Sequence, residues 1–162
     1  MKTQNGFSLI ELISVIVISA IVAGIIGSAL STGFFGYFLG ASMNPLSNQA
    51  TIAMTRMSND LRNAASFTAI NSSSVSFTDG ANNTYVYDNT SCGANILCVT
   101  KNGGTPSTLA TGVTTLTFSY YASTLAVTAT ASAVKAVNIN LTLTGSQTNT
   151  IALINTIYAR NA

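Results

Sequence analysis

Histidine and tryptophan are absent from this chain of 162 residues, and few other side chains carry reactive chemistry. Two cysteines and four acidic residues are the whole inventory for metal binding and for acid and base chemistry. A zinc site needs a set of histidine, cysteine or carboxylate ligands, and a nucleophilic serine or cysteine needs a neighbouring base. The sequence therefore indicates no metal, no cofactor and no enzyme.

Charge is scarce as well, because only 6% of the residues are charged, against roughly 25% in typical soluble proteins. The net charge is +2, and the six basic residues are spread along the chain, at Lys2, Arg56, Arg62, Lys101, Lys135 and Arg160. Nucleic-acid binding needs a patch of cations that neutralises phosphates. The scattered cations therefore predict no nucleic-acid partner.

A long apolar run is present instead, from Phe7 to Leu30, and Glu11 is its only charged residue. About 20 helical residues span the hydrocarbon core of a bilayer, so the run predicts a transmembrane helix. It is too long for the apolar core of a secretory signal, and we expect it to be retained. Lys2 precedes it, which predicts a cytoplasmic N-terminus and an exported C-terminal part. A carboxylate in a membrane helix costs about 2.5–3.5 kcal/mol, so Glu11 is expected to have a partner.

The segment NGFSLIEL, residues 5–12, resembles the processing signal of bacterial type IV pilins and type II secretion pseudopilins. In that family the prepilin peptidase cuts after the glycine and methylates the new N-terminal amine. The resemblance implies a cytoplasmic leader of residues 1–6, cleavage between Gly6 and Phe7, and N-methylation of Phe7. It also implies that the Phe7 amine of one subunit pairs with Glu11 of another and sets the register of assembly. The alternative is a plain single-span anchor in which Glu11 snorkels to the cytoplasmic interface.

The family packs this helix in the core of a filament, so residues 7–40 are expected to form a transmembrane and filament-core helix. Small residues four apart, such as Ala23 and Gly27, permit close approach of helices. Glycine weakens a helix by about 1 kcal/mol relative to alanine, which makes Gly24 to Gly27 a candidate for local melting on assembly. Many major pilins carry a proline in this region where this chain has Ser28, so melting remains an open alternative.

Residues 41–66 are predicted to form an amphipathic helix that continues into a globular domain. Its apolar residues recur at spacings of three and four, at Leu46, Ala50, Ala53, Met57, Leu61 and Ala64. Pro45 disfavours helix at Asn44 and predicts a kink or an interruption there. Arg56 and Asp60 lie four residues apart and predict a solvated surface pair.

Residues 67–162 are predicted to form an antiparallel, β-rich globular domain. From Ser74 onwards apolar and polar residues alternate, and turn residues separate six or seven strands. The predicted strands are SVSFTD, TYVYD, ILCVTK, VTTLTFSYY, LAVTATA, VKAVNINLTLTG and TIALINTIYAR. Strands that follow a helix instead of alternating with it predict an α+β fold, with the long helix packed on an antiparallel sheet.

Cys92 and Cys98 enclose the residues GANIL between two predicted strands. The spacing does not match a zinc site, and the chain has no second cysteine pair. In an exported domain we expect a disulfide, which contributes roughly 2 kcal/mol by loop closure. Two free thiols are the alternative.

These observations predict a structural subunit, namely a minor pilin-like protein that prepilin peptidase processes and that joins other pilin or pseudopilin subunits in a type IV pilus or pseudopilus. Three later segments, QATIAMTRMSNDLRNA, GVTTLTFSYY and IYARNA, resemble in outline the minor subunits of the J-type pseudopilin, PilW-like and MSHA-type groups. We expect it in the bacterial inner membrane with its C-terminal domain exported, and then in a filament in the periplasm or at the cell surface. The alternatives are a pseudopilin of a type II secretion or DNA-uptake system, a major pilin, and a membrane-anchored adhesin or binding domain that does not assemble.

Overall fold

The computed structural model describes residues 8–146, 148–160 and 162, and it describes residues 42 and 44 by their backbone only. These residues form a long helix, eight strands and one short 3-10 helix. The elements are α1 (Leu9–Arg62), β1 (Ala64–Ile70), β2 (Ser74–Asp79), β3 (Thr84–Asp88), β4 (Ile96–Lys101), β5 (Ser107–Thr111), β6 (Val113–Tyr121), the 3-10 helix (Ala131–Ala133), β7 (Ala136–Thr144) and β8 (Thr150–Tyr158). The predicted α+β class is confirmed.

The chain divides into two compact units, Met1–Ala41 and Ser42–Ala162, and α1 contributes residues to both. The helix continues through Pro45, so the interruption predicted at Asn44 is wrong. Proline cannot donate to the carbonyl of residue 41, and its ring disfavours helix at the residue before it. Burial of Leu46 and Ala50 on the next turn offsets this local cost.

The helix ends at Arg62, before the boundary at residue 66 that the apolar spacing predicts. Ala64 keeps the helical spacing but is the first residue of β1. Two contacts favour the strand conformation. Phe67 of β1 lies opposite Phe77 of β2, and the carbonyl of Arg62 accepts a hydrogen bond of 3.1 Å from the backbone N–H of Arg160.

The strands form two antiparallel sheets, where the sequence predicted one. β1 to β5 form a five-stranded sheet in sequence order, and β6, β7 and β8 form a three-stranded sheet. β1 and β5 are not among the predicted strands. The predicted strand LAVTATA is wrong, because only Val127 makes an isolated bridge, to Tyr121. Leu125 has a φ of 62°, and both it and Val127 are exposed.

The core of the unit Ser42–Ala162 lies between the end of α1 and the two sheets. Every apolar residue predicted on the inner face of the amphipathic segment is buried, namely Leu46, Ala50, Ala53, Met57, Leu61 and Ala64. The same helical segment hydrogen-bonds to both sheets. Asp60 contacts Tyr87 of β3, and Asn155 of β8 donates to the Ser58 hydroxyl over 2.9 Å. The C-terminal part of α1 therefore joins the two sheets.

Asp60 is more than the solvated partner of Arg56 that the sequence predicted. Its carboxylate accepts a hydrogen bond from the hydroxyl of Tyr87, a fully buried residue. Arg56 Nε lies 3.9 Å from the same carboxylate oxygen. Burial, together with the hydrogen bond to Asp60 and its negative charge, raises the pKa of Tyr87, so the hydroxyl stays protonated and remains the donor.

Candidate functional site in the N-terminal helix

Ser8 caps the start of α1, directly before Leu9. Its backbone carbonyl accepts hydrogen bonds from the N–H groups of Glu11 and Leu12, over 3.1 and 3.2 Å. Its hydroxyl accepts from the N–H of Glu11 over 3.3 Å. A serine followed three residues later by glutamate is a helix-capping sequence, so the residues around Glu11 also encode the start of a helix.

Glu11 is exposed in the first turn of the helix, where the helix dipole favours a negative charge. The structure shows no ion pair to its carboxylate from the described residues. Gly6 and Phe7, the predicted residues of cleavage and methylation, lie outside the described residues. Of the predicted N-terminal site, the structure therefore locates Glu11 alone.

The unit Met1–Ala41 exposes large apolar side chains around its helix. Leu9, Ile10, Ile18 and Ile25 are each more than 60% exposed, and none of the residues in the most apolar part of the helix is buried. Contiguous apolar surface of this extent marks a contact with lipid or with protein. The helix is long and apolar enough to cross a membrane.

Hydroxyl groups in this helix bond to its own backbone. The hydroxyls of Ser14, Ser28 and Thr32 donate to carbonyls one turn earlier, over 2.8, 2.9 and 3.0 Å. In lipid an unsatisfied hydroxyl is costly, and these local bonds remove that cost. Ser28, at the position where a proline is expected in many major pilins, lies in regular helix. Melting of this region on assembly stays a prediction.

The glycines of this helix have open space beside them. A Cβ atom placed on Gly24, Gly27, Gly33, Gly36 or Gly40 meets no neighbouring group within 4 Å. Each glycine weakens the helix by about 1 kcal/mol relative to alanine. No packing within the described residues therefore requires these glycines, and their small size is available to a neighbouring molecule.

The unit Ser42–Ala162 carries a disulfide between Cys92 and Cys98, whose Cα atoms are 6.2 Å apart. Beside it lies Asp88, a buried acid opposite Cys98 that is not among the predicted site residues. Its carboxylate accepts hydrogen bonds from the N–H and hydroxyl of Ser91, over 2.6 and 2.7 Å, and from those of Thr90, over 2.8 and 3.1 Å. The signal that could have found it is the sequence DNTS, since Asp commonly bonds the backbone two residues on.

Asp88 is held as a carboxylate by these contacts. Burial raises its pKa, but the hydrogen bonds from Ser91 and Thr90 outweigh burial, so the pKa lies below its usual value. No group of three or more His, Cys, Asp or Glu side chains occurs in the part of the chain that the structure describes. Asp79 and Asp88 act as acceptors in turns, and Asp60 acts as an acceptor in the contact between α1 and β3.

Comparison with known proteins adds one finding for this helix. The family model of the prokaryotic N-terminal methylation motif matches residues 1–27, which include Gly6, Phe7 and Glu11. No curated protein shows a significant match to the chain. This motif, together with the exposed apolar helix that begins inside it, supports a protein similar to the type IV pilins and pseudopilins.

Proposed function

We propose that this chain is a minor pilin-like structural subunit. Prepilin peptidase would cut it between Gly6 and Phe7 and methylate the Phe7 amine, and the helix would hold it in the inner membrane until it joins other subunits in a filament. The observation that carries the proposal is the methylation motif at residues 1–27, which leads directly into an exposed apolar helix.

The exposed helix suits two successive environments. In the membrane its aliphatic side chains contact lipid, and in a filament the same side chains contact other helices. Moving between two apolar surroundings yields little hydrophobic gain, so helix association there depends on close packing and polar contacts. The open space beside Gly24 and Gly27 supports close packing.

Glu11 would supply the polar contact. Cleavage after Gly6 creates an amine on Phe7, four residues before Glu11, in a medium where an unpaired carboxylate costs about 2.5–3.5 kcal/mol. Ser8 bonds the backbone of Glu11, and none of the hydrogen bonds among the described residues uses the Glu11 carboxylate. The carboxylate can therefore pair with the Phe7 amine of an adjacent subunit, and only one register of the two helices brings these groups together.

The unit Ser42–Ala162 would be the exported part of the subunit. Disulfides persist in oxidising compartments such as the bacterial periplasm and cell surface, which agrees with the bond between Cys92 and Cys98. The side-chain inventory of the unit favours a structural role over catalysis, since the chain contains no histidine.

The mass of the intact protein, purified from a bacterium that has a prepilin peptidase, tests the processing step. We expect loss of residues 1–6, which leaves 156 of the 162 residues, and the gain of one methyl group. Gly6→Val should leave the full mass unshifted. An unprocessed wild-type chain would favour the plain membrane anchor instead.

Filament incorporation tests the role of Glu11. Glu11→Val should insert and be processed normally but be strongly reduced in sheared filaments. Ser14→Ala is the matched control, because it removes another polar group from the same helix, one whose hydroxyl bonds only to the Ile10 carbonyl. Normal incorporation of Glu11→Val would contradict the register role. Deletion strains then separate the subtypes, since a pseudopilin gives a secretion or DNA-uptake defect without loss of a pilus.

A further inference from the structure

β8 ends the three-stranded sheet, and its outer edge is open from Thr150 to Tyr158; beyond this stretch, Arg160 donates its N–H to the carbonyl of Arg62. It pairs with β7 over nine consecutive residues without a register shift. Ala159, just after β8, donates its N–H to the carbonyl of Lys135, so the odd-numbered residues of β8 bond to β7. In an antiparallel pair the alternate residues direct their N–H and C=O groups away from the partner strand. The outward residues are Thr150, Ala152, Ile154, Thr156 and Tyr158, and no hydrogen bond among the described residues joins their backbone groups to another element.

The other edges of the two sheets are covered, interrupted or short. The outer edge of β6 is covered, because Val113 and Phe118 donate their N–H groups to the carbonyls of Asn95 and Ser72, over 2.9 and 2.8 Å. β1 has two register shifts against β2. β5 has only five residues, and its pairing with β4 contains one shift. These are the usual devices that keep a sheet edge from pairing with another chain.

β8 has none of these devices. Its sequence, TIALINTIY, contains no charge, no proline and no glycine. The side chains of the five outward residues are all exposed. Two of them are large and apolar, namely Ile154, which is 69% exposed, and Tyr158, which is 59% exposed. A regular, neutral and uncovered strand of nine residues presents a row of backbone donors and acceptors that only another extended strand can satisfy.

We propose that β8 pairs with β8 of a second copy of this chain, antiparallel and centred on Ile154, so that two three-stranded sheets become one of six strands. This register places Ile154 against Ile154, Ala152 against Thr156, and Thr150 against Tyr158. Ala152 and Thr156 are both small, Thr150 leaves room for Tyr158, and at the centre two exposed isoleucines bury each other. All the outward residues form hydrogen-bonded pairs, which gives about ten inter-chain bonds.

A second copy is the occupant that these features favour. The strand matches itself about a two-fold axis, and its neutrality means that two copies meet without repulsion. The contact is isologous and closed, so it produces dimers and not a growing fibre. The proposal rests on the unit Ser42–Ala162 alone and goes beyond the filament role of the helix.

Cysteine crosslinking of the full chain in membranes tests the register. Opposed residues of a hydrogen-bonded pair have Cα atoms about 5.5 Å apart, within the range that a disulfide bridges. Ile154→Cys should therefore form a covalent dimer under mild oxidation. Thr156→Cys is the matched control, because its two copies would lie four residues apart along the strand, about 13 Å, and should stay monomeric. The background is Gly6→Val, so that filament assembly does not contribute.

A charge at the centre of the edge tests the pairing itself. The double variant Ala152→Cys with Thr156→Cys should crosslink, and adding Ile154→Lys should lower the dimer yield at least tenfold. Adding Ile154→Thr, which keeps the strand neutral but removes the isoleucine contact, should lower the yield much less than Ile154→Lys does. Ile154 is exposed, so neither change disturbs the core, and near-ultraviolet circular dichroism checks this.

Three results would overturn the proposal. They are a monomeric Ile154→Cys chain, equal crosslinking of Thr156→Cys and Ile154→Cys, and a covalent adduct of Ile154→Cys with a different protein. Failure of N-terminal processing has no bearing on any of them, because the test is run on the uncleaved chain.

Discussion

Replacing Tyr87 by phenylalanine isolates the hydrogen bond between β3 and α1. The ring stays buried, and only the hydroxyl that donates to Asp60 is removed. A hydrogen bond to a charged group contributes about 1.5–3 kcal/mol. The Asp60 side chain is 26% exposed and keeps Arg56 at 3.9 Å, so water replaces part of the lost contact. We expect the free energy of unfolding to fall by about 1–2 kcal/mol.

A double-mutant cycle assigns this loss to the pair. Asp60→Ala leaves the buried Tyr87 hydroxyl without its acceptor and should cost about 2–3 kcal/mol. In the double variant the second substitution should cost little, which gives a coupling energy of about 1 kcal/mol or more. Tyr85→Phe is the matched control on the same strand, because none of the hydrogen bonds among the described residues uses the Tyr85 hydroxyl. It should change stability by no more than about 0.5 kcal/mol.

The assay is urea unfolding of the full chain in detergent micelles, followed by near-ultraviolet circular dichroism of the tyrosines. All six tyrosines except Tyr37 lie in the unit Ser42–Ala162, so the signal reports mainly on that unit. Additive effects of Tyr87→Phe and Asp60→Ala would refute the argument, as would a Tyr87→Phe chain as stable as the wild type.

Three further predictions concern the same unit. The folded-state pKa of Asp88 is lowered from 3.8, so its stabilisation is complete above the unfolded-state pKa and is lost as the pH falls through the folded-state pKa. In urea unfolding, the difference in unfolding free energy between the wild type and Asp88→Asn should therefore vanish in acid. A difference that persists unchanged at pH 2 would contradict this. Replacing both Cys92 and Cys98 by alanine should lower the unfolding free energy by roughly 2 kcal/mol, and a reducing agent should then have no further effect. Gly112→Ala should destabilise the chain by about 1–3 kcal/mol, because φ is +70° and a Cβ would lie 2.5 Å from the Thr144 carbonyl oxygen. Thermal melting measures this effect, and Gly80→Ala, with open space around it, is the control. Equal effects of the two substitutions would contradict the steric argument.

The strands that could be predicted are those that bury one face. In β7, Val137, Ile139 and Leu141 are buried and alternate with half-buried polar residues, so the period of two is visible in the sequence. β5 buries only Ala110 and shows no such period. LAVTATA has the period but no sheet to cover its apolar face, and Val127 stays 76% exposed.

Features that neighbouring residues encode could be predicted from the sequence, whereas contacts between residues far apart in the sequence could not. The N-terminal motif is short and contiguous, so it can be recognised without any knowledge of the fold. The sequence predicts a pair between Asp60 and its neighbour Arg56, because it does not indicate that Tyr87, 27 residues later, reaches the same carboxylate. The division into two sheets likewise depends on pairing between distant segments. Ala64 fits both a helical and a strand pattern, and its choice of strand depends on Phe77 lying opposite Phe67.

Because open space lies beside the glycines of α1, replacing each of them by alanine can locate the contacts that this helix makes with other molecules. A methyl group added at Gly24, Gly27, Gly33, Gly36 or Gly40 touches nothing else among the described residues, and it raises the intrinsic helix preference by about 1 kcal/mol. Alanine at these positions should thus be silent or mildly favourable in a solitary chain. Any position where alanine impairs association must lie where a neighbouring molecule approaches the helix backbone. Five single-methyl variants would then trace that neighbour's path along the helix.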